Sequence, residues 1–282
     1  MTERLADISA RIDGIRQLGA VVNAMKGIAA ARAHVARTQV TAVDSYAETV
    51  AGAMARILRP GDTDLEDPNL RSPGKTGLLV FCAEQGFAGA FSERVLDSIG
   101  PEHEDSTLFL IGTRGLSVAT ARGITPVWSA ALPSHTPGIP KLADRITTQI
   151  YRAVTEGRIN RLDVVFTGWV AGRPALLQQC LFPVDLTDHP SSAVDRPLMQ
   201  LPEGTLIDSL GQDYFHAQVC KAALHAFAAE NEARMEAMTS AGTQIARELE
   251  TFEATLRRVR QEAITAEIIE LGTGADAASG AR

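Results

Sequence analysis

The chain has 282 residues, 45% hydrophobic, 22% charged and 5% aromatic, enough for one or two domains but poor in aromatic anchors for a large core, which leans away from a typical enzyme. Basic residues number 27 against 34 acidic ones, a formal charge of −7; this excludes a uniformly basic nucleic-acid-binding face. Cys82, Cys180 and Cys220 form no CxxC pair, so neither a disulfide framework nor a cysteine zinc site is expected, and a reducing cytoplasm fits best. The charged opening MTERLADISARID lacks the apolar run of a signal peptide, and no window approaches the ~20 apolar residues of a membrane span, so a soluble chain is expected.

All 13 prolines lie between Pro60 and Pro202. Because a helix interior excludes proline most strongly, long helices are permitted only at the two ends. In the first block Leu5, Ile8, Ile12, Ile15, Gly19 and Val22 recur at alternating three- and four-residue steps, with Met25, Ile28 and Ala29 continuing the face until Arg59-Pro60-Gly61. A single helix over 3–58 would span roughly 80 Å at ~1.5 Å per residue. Such a rod requires a partner.

The middle block reads as strand alternating with helix. Runs 76–83, 106–112, 124–128 and 162–168 are short and apolar, while SERVLDSI, RGLSVATAR and KLADRITTQIYRAVTEG between them carry helical spacing. This alternation predicts a mostly parallel sheet with helices on its faces, and 175–184 returns as an antiparallel edge strand. Segment 61–75 is an acidic linker and 189–197 a second loop.

From Thr205 to Leu271 a continuous helix would reach roughly 100 Å. Met238, Gly242, Ile245, Leu249, Phe252, Leu256, Val259, Ala263 and Ala266 hold the four-three spacing that makes helices supercoil left-handedly. Two rods at opposite chain ends pack most economically as an antiparallel two-stranded coiled coil. The seam shrinks to alanine near the C-terminus, which predicts a thin tip in need of an outside sleeve. The tail GTGADAASGAR is expected to lack order.

The chemical motifs are weak. Gly74-Lys75-Thr76 lacks the glycine five positions earlier, where Asn69 stands, and leads into a strand, so it is no P-loop. Gly86-Phe87-Ala88-Gly89 sits where a dinucleotide fingerprint would, without the GxGxxG spacing. Asp62, Asp64, Glu66 and Asp67 lack the glycine and glutamate of a calcium loop. The six histidines show neither HxxxH nor HExxH, and no GxSxG elbow occurs. Neither a metal nor a cofactor is predicted; whether a Ser/His/Asp or Cys/His group assembles is a three-dimensional question. What stands out is basic charge on the rods: Arg4, Arg11, Arg16, Lys26, Arg32 and Arg37 outnumber Glu3, Asp7 and Asp13 in the first 40 residues, and Arg257, Arg258 and Arg260 cluster beside the second seam. Guanidinium forks beside a thin apolar stripe suit either a solvated flank or contact with acidic loops of an encircling partner.

Both ends carry a family resemblance. Arg11-Ile12-Asp13-Gly14-Ile15-Arg16 and Asn23-Ala24-Met25-Lys26-Gly27-Ile28 resemble the N-terminal signature of the gamma subunit of F-type ATP synthases. Ala229-Glu230-Asn231-Glu232-Ala233-Arg234-Met235-Glu236-Ala237-Met238 is similar to that family's Ser-Glu-x-x-x-Arg-Met-x-Ala-Met stretch, and Arg260-Gln261-Glu262-Ala263-Ile264-Thr265-Ala266-Glu267 to its terminal Arg-Gln-x-x-Ile-Thr-x-Glu. In the middle, Gly86-Phe87-Ala88-Gly89-Ala90 and Ile111-Gly112-Thr113-Arg114-Gly115 resemble its Gly-Leu-Cys-Gly-Gly and Ile-Gly-x-Lys-Gly turns. Ala20-Val21-Val22 stands where the family usually has Lys-Ile-Thr, Glu84-Gln85 replaces Asp-Arg and Ala88 replaces cysteine, which leaves open the main synthase subunit or a paralogue in a divergent, alternative-ion ATPase.

The resemblance implies an α/β protein: a long antiparallel two-helix coiled coil from 1–59 and 205–271, with a Rossmann-like domain over 75–200. It implies a non-catalytic rotor shaft turning within a ring of alpha and beta subunits and seated, with the epsilon subunit, on the membrane c-subunit ring, at the cytoplasmic face of a bacterial inner membrane. Carried over by position, Arg260 and Gln261 contact the beta-subunit catch loop, Thr265 and Glu267 support them, and Met25 and Lys26 pack nearby. Two rival readings come from other classes: a Rossmann-like small-molecule enzyme with a coiled-coil appendage, and a coiled-coil scaffold.

Overall fold

The structure is a computed structural model that describes residues 2–57, 75–100, 105–170, 173–184 and 198–279. Helix α1 covers Thr2–Ile57 and the last helix, α5, covers Glu203–Ser279; between them lie β1 (Thr76–Phe81), α2 (Phe91–Ser98), β2 (Thr107–Ile111), α3 (Thr113–Ala121), β3 (Trp128–Ala130), α4 (Ile139–Thr155), β4 (Arg161–Val170) and β5 (Arg173–Phe182). The expected linker over 61–75 falls outside the described residues up to 74, with its acidic cluster, as does the loop 189–197. The chain divides into two compact units, Met1–Ile28 with Met235–Arg282, and Ala29–Arg234.

The unit Ala29–Arg234 holds a five-stranded sheet in the order β3-β2-β1-β4-β5. β1 pairs in parallel with β2 and β4, β2 with β3, and β5 runs antiparallel to β4. Alternate residues of β1 face opposite sides, as the two-residue period of a strand requires. Leu79 and Phe81 join Phe109, Ile111, Val164 and Phe166 beneath α1, α4 and α5, where Ala36, Val40, Ile146, Ile150, Val219 and Phe227 complete one core. Leu78 and Val80 face the other way, toward Phe91, Val95 and Leu96 of α2 and Ala119 of α3. Burial on both faces explains why β1 reads as an unbroken apolar run.

The expected strand at 124–128 is displaced to Trp128–Ala130. Pro126 carries no N–H to donate, and pairing starts only at Phe109↔Trp128, just after the Val127 N–H reaches the Leu108 carbonyl at 2.9 Å. Two further corrections concern the end helices. Helix α5 continues through the tail expected to lack order, as far as Ser279: no proline interrupts it after Pro202, Ala275, Ala277 and Ala278 favour helix, and an interior glycine costs only about 1 kcal/mol. Ile28, expected on the buried face of α1, is exposed, whereas Val22, Ala29, Ala33, Ala36 and Val40 are buried; the three- and four-residue steps from Val22 pass through Ala29 and leave Ile28 at the side.

Candidate functional site

The unit Met1–Ile28 with Met235–Arg282 consists of two helical segments packed side by side. The Arg16 Nη2 donates to Glu253 Oε1 at 2.8 Å, and the Arg11 guanidinium lies 5.0 Å from the centre of the Phe252 ring. A Cβ built on Gly19 would meet Ile245 Cγ2 at 3.4 Å, and one on Gly242 would meet Val22 Cγ1 at 4.0 Å. Ascending numbers on α1 thus meet descending numbers on α5, so the two segments are antiparallel. All nine seam positions of α5 are buried or half-buried, from Met238 to Ala266, while most of the residues between them are exposed. The spacing read from the sequence is therefore the spacing of the packed face. A groove of about 340 Å³ opens along it, lined by Ser9, Ile12, Asp13, Arg16, Glu253, Leu256 and Arg257.

Arg260, Gln261, Thr265 and Glu267 lie together on the exposed side of α5, beyond the buried Val259. Arg258 is engaged with Glu262 at 3.8 Å, and the Thr265 hydroxyl donates to the Gln261 carbonyl of its own helix at 2.9 Å. The Arg260 guanidinium and the Glu267 carboxylate have no ion-pair partner among the described residues. Met25 and Lys26 are half-buried and are not brought to this group. The Gly19–Ile245 and Val22–Gly242 contacts put Met25 opposite the Met238 region, about 30 Å along the axis from Arg260 at ~1.5 Å per residue.

Ile264, Ile268 and Ile269 were not singled out by spacing because they fall off the seam, yet they are 53%, 63% and 59% exposed. Arg260, Gln261, Ile264 and Ile268 follow one another at one- to four-residue steps and share a helix face. The Arg260 fork beside this apolar ridge has no ion-pair partner among the described residues of this unit. Its chemistry suits a partner that offers acidic and apolar groups together.

The unit Ala29–Arg234 contains a second constellation that the sequence reading treated only as a motif. Glu230 and Arg234 are buried, 3% and 5% exposed, and form an ion pair one turn apart on α5. The Glu230 carboxylate also accepts the backbone N–H of Glu84 at 2.9 Å and of Gln85 at 3.2 Å. Arg234 donates to the carbonyls of Gly86 and Gln85 at 3.1 and 3.2 Å and to Asn231 Oδ1 at 3.1 Å. The loop after β1 is thereby fastened to α5 through a fully engaged charge pair, the arrangement that burial of charge demands.

Glu84 extends the network. Its carboxylate accepts the Thr113 N–H and hydroxyl at 2.9 and 2.7 Å and the Leu132 N–H at 2.8 Å. A carboxylate at the first turn of α3 satisfies a donor the helix leaves open and suits the positive end of its dipole. The Glu84-Gln85 departure from the family's Asp-Arg is thus built into the ends of three strands. The turn also holds Phe87 at φ 62°, an uncommon backbone angle for a residue with a side chain, followed by Gly89 at φ 59°.

Asp144, His216 and Cys220 fall in line, with His216 Nε2 3.1 Å from Asp144 Oδ1 and Nδ1 3.9 Å from the Cys220 sulfur. Burial, with Asp144 adding to it, pushes the Cys220 thiol up to about 11, and burial with Glu93 and Glu230 pushes Cys82 up to about 12. A nucleophile needs the opposite shift, so the alignment is a packing contact. Among the described residues no cluster of three or more His, Cys, Asp or Glu could hold a metal ion.

A paired-helix unit whose Arg260 has no ion-pair partner among the described residues, joined in one chain to a sheet buried by helices on both faces, defines an assembly component. The family model described as ATP synthase matches residues 4–278, and the chain belongs to that family. Among curated relatives, the ATP synthase gamma chain of Moorella thermoacetica is 26% identical over 97% of this chain and 98% of its own length. The ATP synthase gamma chain of Parafrankia sp. is 27% identical over the whole of both. A chain of the cryo-EM structure of the Euglena gracilis mitochondrial ATP synthase (OSCP/F1/c-ring, rotational state 3) has the same fold with a TM-score of 0.69, at 14% identity, covering 100% of this chain and 97% of that one.

Proposed function

We propose that this chain is the central-stalk rotor shaft, the gamma subunit, of an F-type ATP synthase, coupling ion flow through a membrane ring to ATP synthesis or hydrolysis. The observation that carries this is the antiparallel helix pair whose exposed tip offers Arg260, Gln261, Ile264 and Ile268 to a partner, within a family match that runs over both end helices. The pair acts as a two-stranded coiled coil formed by 1–59 and 205–271, and 75–200 as a Rossmann-like basal domain. The chain is non-catalytic: ATP chemistry belongs to the beta subunits around it.

Arg260 and Gln261 contact a beta-subunit loop, Thr265 and Glu267 support that contact, and Met25 and Lys26 serve a separate level of the shaft. The basal domain sits with the epsilon subunit on the c-subunit ring. The protein is held at the cytoplasmic face of a bacterial inner membrane through that ring; no helix among the described residues is long and apolar enough to cross a membrane. Unequal contacts around the shaft make each surrounding subunit prefer a different conformation, and torque is that differential binding.

The test is reconstitution. Adding this chain to alpha and beta subunits should raise their ATPase activity, and Arg260→Ala should lower it severalfold while the isolated chain melts as before. Unchanged turnover on adding the wild-type chain would refute the assignment.

A further inference from the structure

Among the described residues strand β5 is the free edge of the sheet, and the opposite edge, β3, is only three residues long. From Arg173 to Cys180 its register with β4 is regular; the irregularity, which leaves Leu181 unmatched, comes at the far end. That regular stretch is about 26 Å long at ~3.3 Å per residue. In an antiparallel pair every second residue turns its N–H and C=O away from the neighbouring strand. Among the described residues these outward groups of β5 have no backbone partner, and the strand's other hydrogen bonds are Gln178 Nε2 to Asp163 and the Cys180 thiol to the carbonyls of Phe182 and Pro183.

Proteins normally protect such an edge with lysine, proline, a bulge or a covering element. Positions 174–182 contain no charged residue, and the only proline is Pro174 at the start. Leu176, Gln178 and Gln179 are exposed. Arg173, which opens the strand, makes no ion pair among the described residues. The edge thus offers alternating donors and acceptors along a neutral strand, with one unmatched guanidinium at its end.

We propose that the free edge of β5 is a strand-addition site that takes an extended segment of a neighbouring subunit, uncharged except for a carboxylate at its end opposite Arg173. Main-chain hydrogen bonds supply the affinity and the guanidinium fixes the register. Charge complementarity selects a foreign strand over a second copy of this chain. Antiparallel self-pairing would set Arg173 against Cys180 of the other copy, where the nearest carboxylate, Asp163, is already held by Arg161. The source of the strand, though not the chemistry of the edge, rests on the rotor-subunit reading.

Hydrogen–deuterium exchange of the full chain, free and within the assembled ATP synthase, tests this. Alternate amides of 174–180 should exchange at least tenfold more slowly in the assembly, and Leu176→Lys/Gln179→Lys should abolish that slowing without altering the melting temperature of the free chain. Equal exchange in both states, or slowing that survives the double lysine variant, overturns the proposal. Protection of the free chain that grows with its own concentration overturns it in favour of self-pairing. The rotor reading is scored separately on 256–269: slowing there without change at β5 sinks only strand addition, and slowing at β5 alone sinks only the rotor reading.

Discussion

Glu230 and Arg234 bind each other inside α5 and, with their remaining atoms, hold three successive residues of a loop some 146 positions earlier in the chain, Glu84, Gln85 and Gly86. Removing one partner leaves the other charged, buried and unpaired, which typically costs ~3–5 kcal/mol. Arg234→Met should therefore lower the urea unfolding free energy of the isolated chain by about that much. A loss below ~1 kcal/mol would show that the pair contributes little beyond its own desolvation.

Two glycines of the helix pair and one in the turn between β2 and α3 should respond oppositely to alanine. At Gly19 and Gly242 the added methyl group meets its neighbour at ordinary contact distance, and alanine is the better helix former, so each change should stabilise by up to about 1 kcal/mol. Gly112 sits at φ 112°, where a Cβ would come within 2.6 Å of the Cys82 and Ala83 carbonyl oxygens. Gly112→Ala should cost more than about 2 kcal/mol, through backbone strain and that clash. Thermal melting of the three variants checks both signs.

His225 rests against Phe166 and Trp169, and its Nδ1 is buried without a partner among the described residues. Burial holds its pKa below the ordinary 6.5; Asp44 on α1 opposes this and Lys221 on α5 reinforces it. The folded chain therefore resists protonation here, and as pH falls through 6.5 the unfolded chain takes up the proton first, so stability drops. Above that value the group contributes no slope. Urea midpoints measured between about pH 7.5 and 5.5 should fall less steeply for His225→Phe than for the wild type; equal slopes would exclude His225 as a source.

Ile264 and Ile268 are exposed in the isolated chain, so Ile264→Ser/Ile268→Ser should leave its stability within about 0.5 kcal/mol per site. If that face meets the alpha/beta ring, the ATPase stimulation measured on reconstitution should nevertheless fall at least severalfold. Full stimulation would place the ring contact elsewhere on the shaft.

What the amino-acid sequence determined alone is what depends on a repeating local period. Proline-free ends, the four-three seam from Met238 to Ala266 and the apolar runs of β1, β2 and β4 each follow from spacing within one element, and they appear in the structure at those residues. Where a single residue broke the period the reading slipped, as at Pro126 before β3 and at Ile28 beside Ala29. The tertiary structure decided what joins distant segments: Glu230 reaching Glu84, the Glu84 carboxylate gathering Thr113 and Leu132, and Met25 on α1 lying far along the helix pair from Arg260 on α5. Hydrogen bonds and charge pairs carry no period. Their partners are chosen only once packing has brought two stretches together, whereas the antiparallel edge position of β5 was already legible in the sequence.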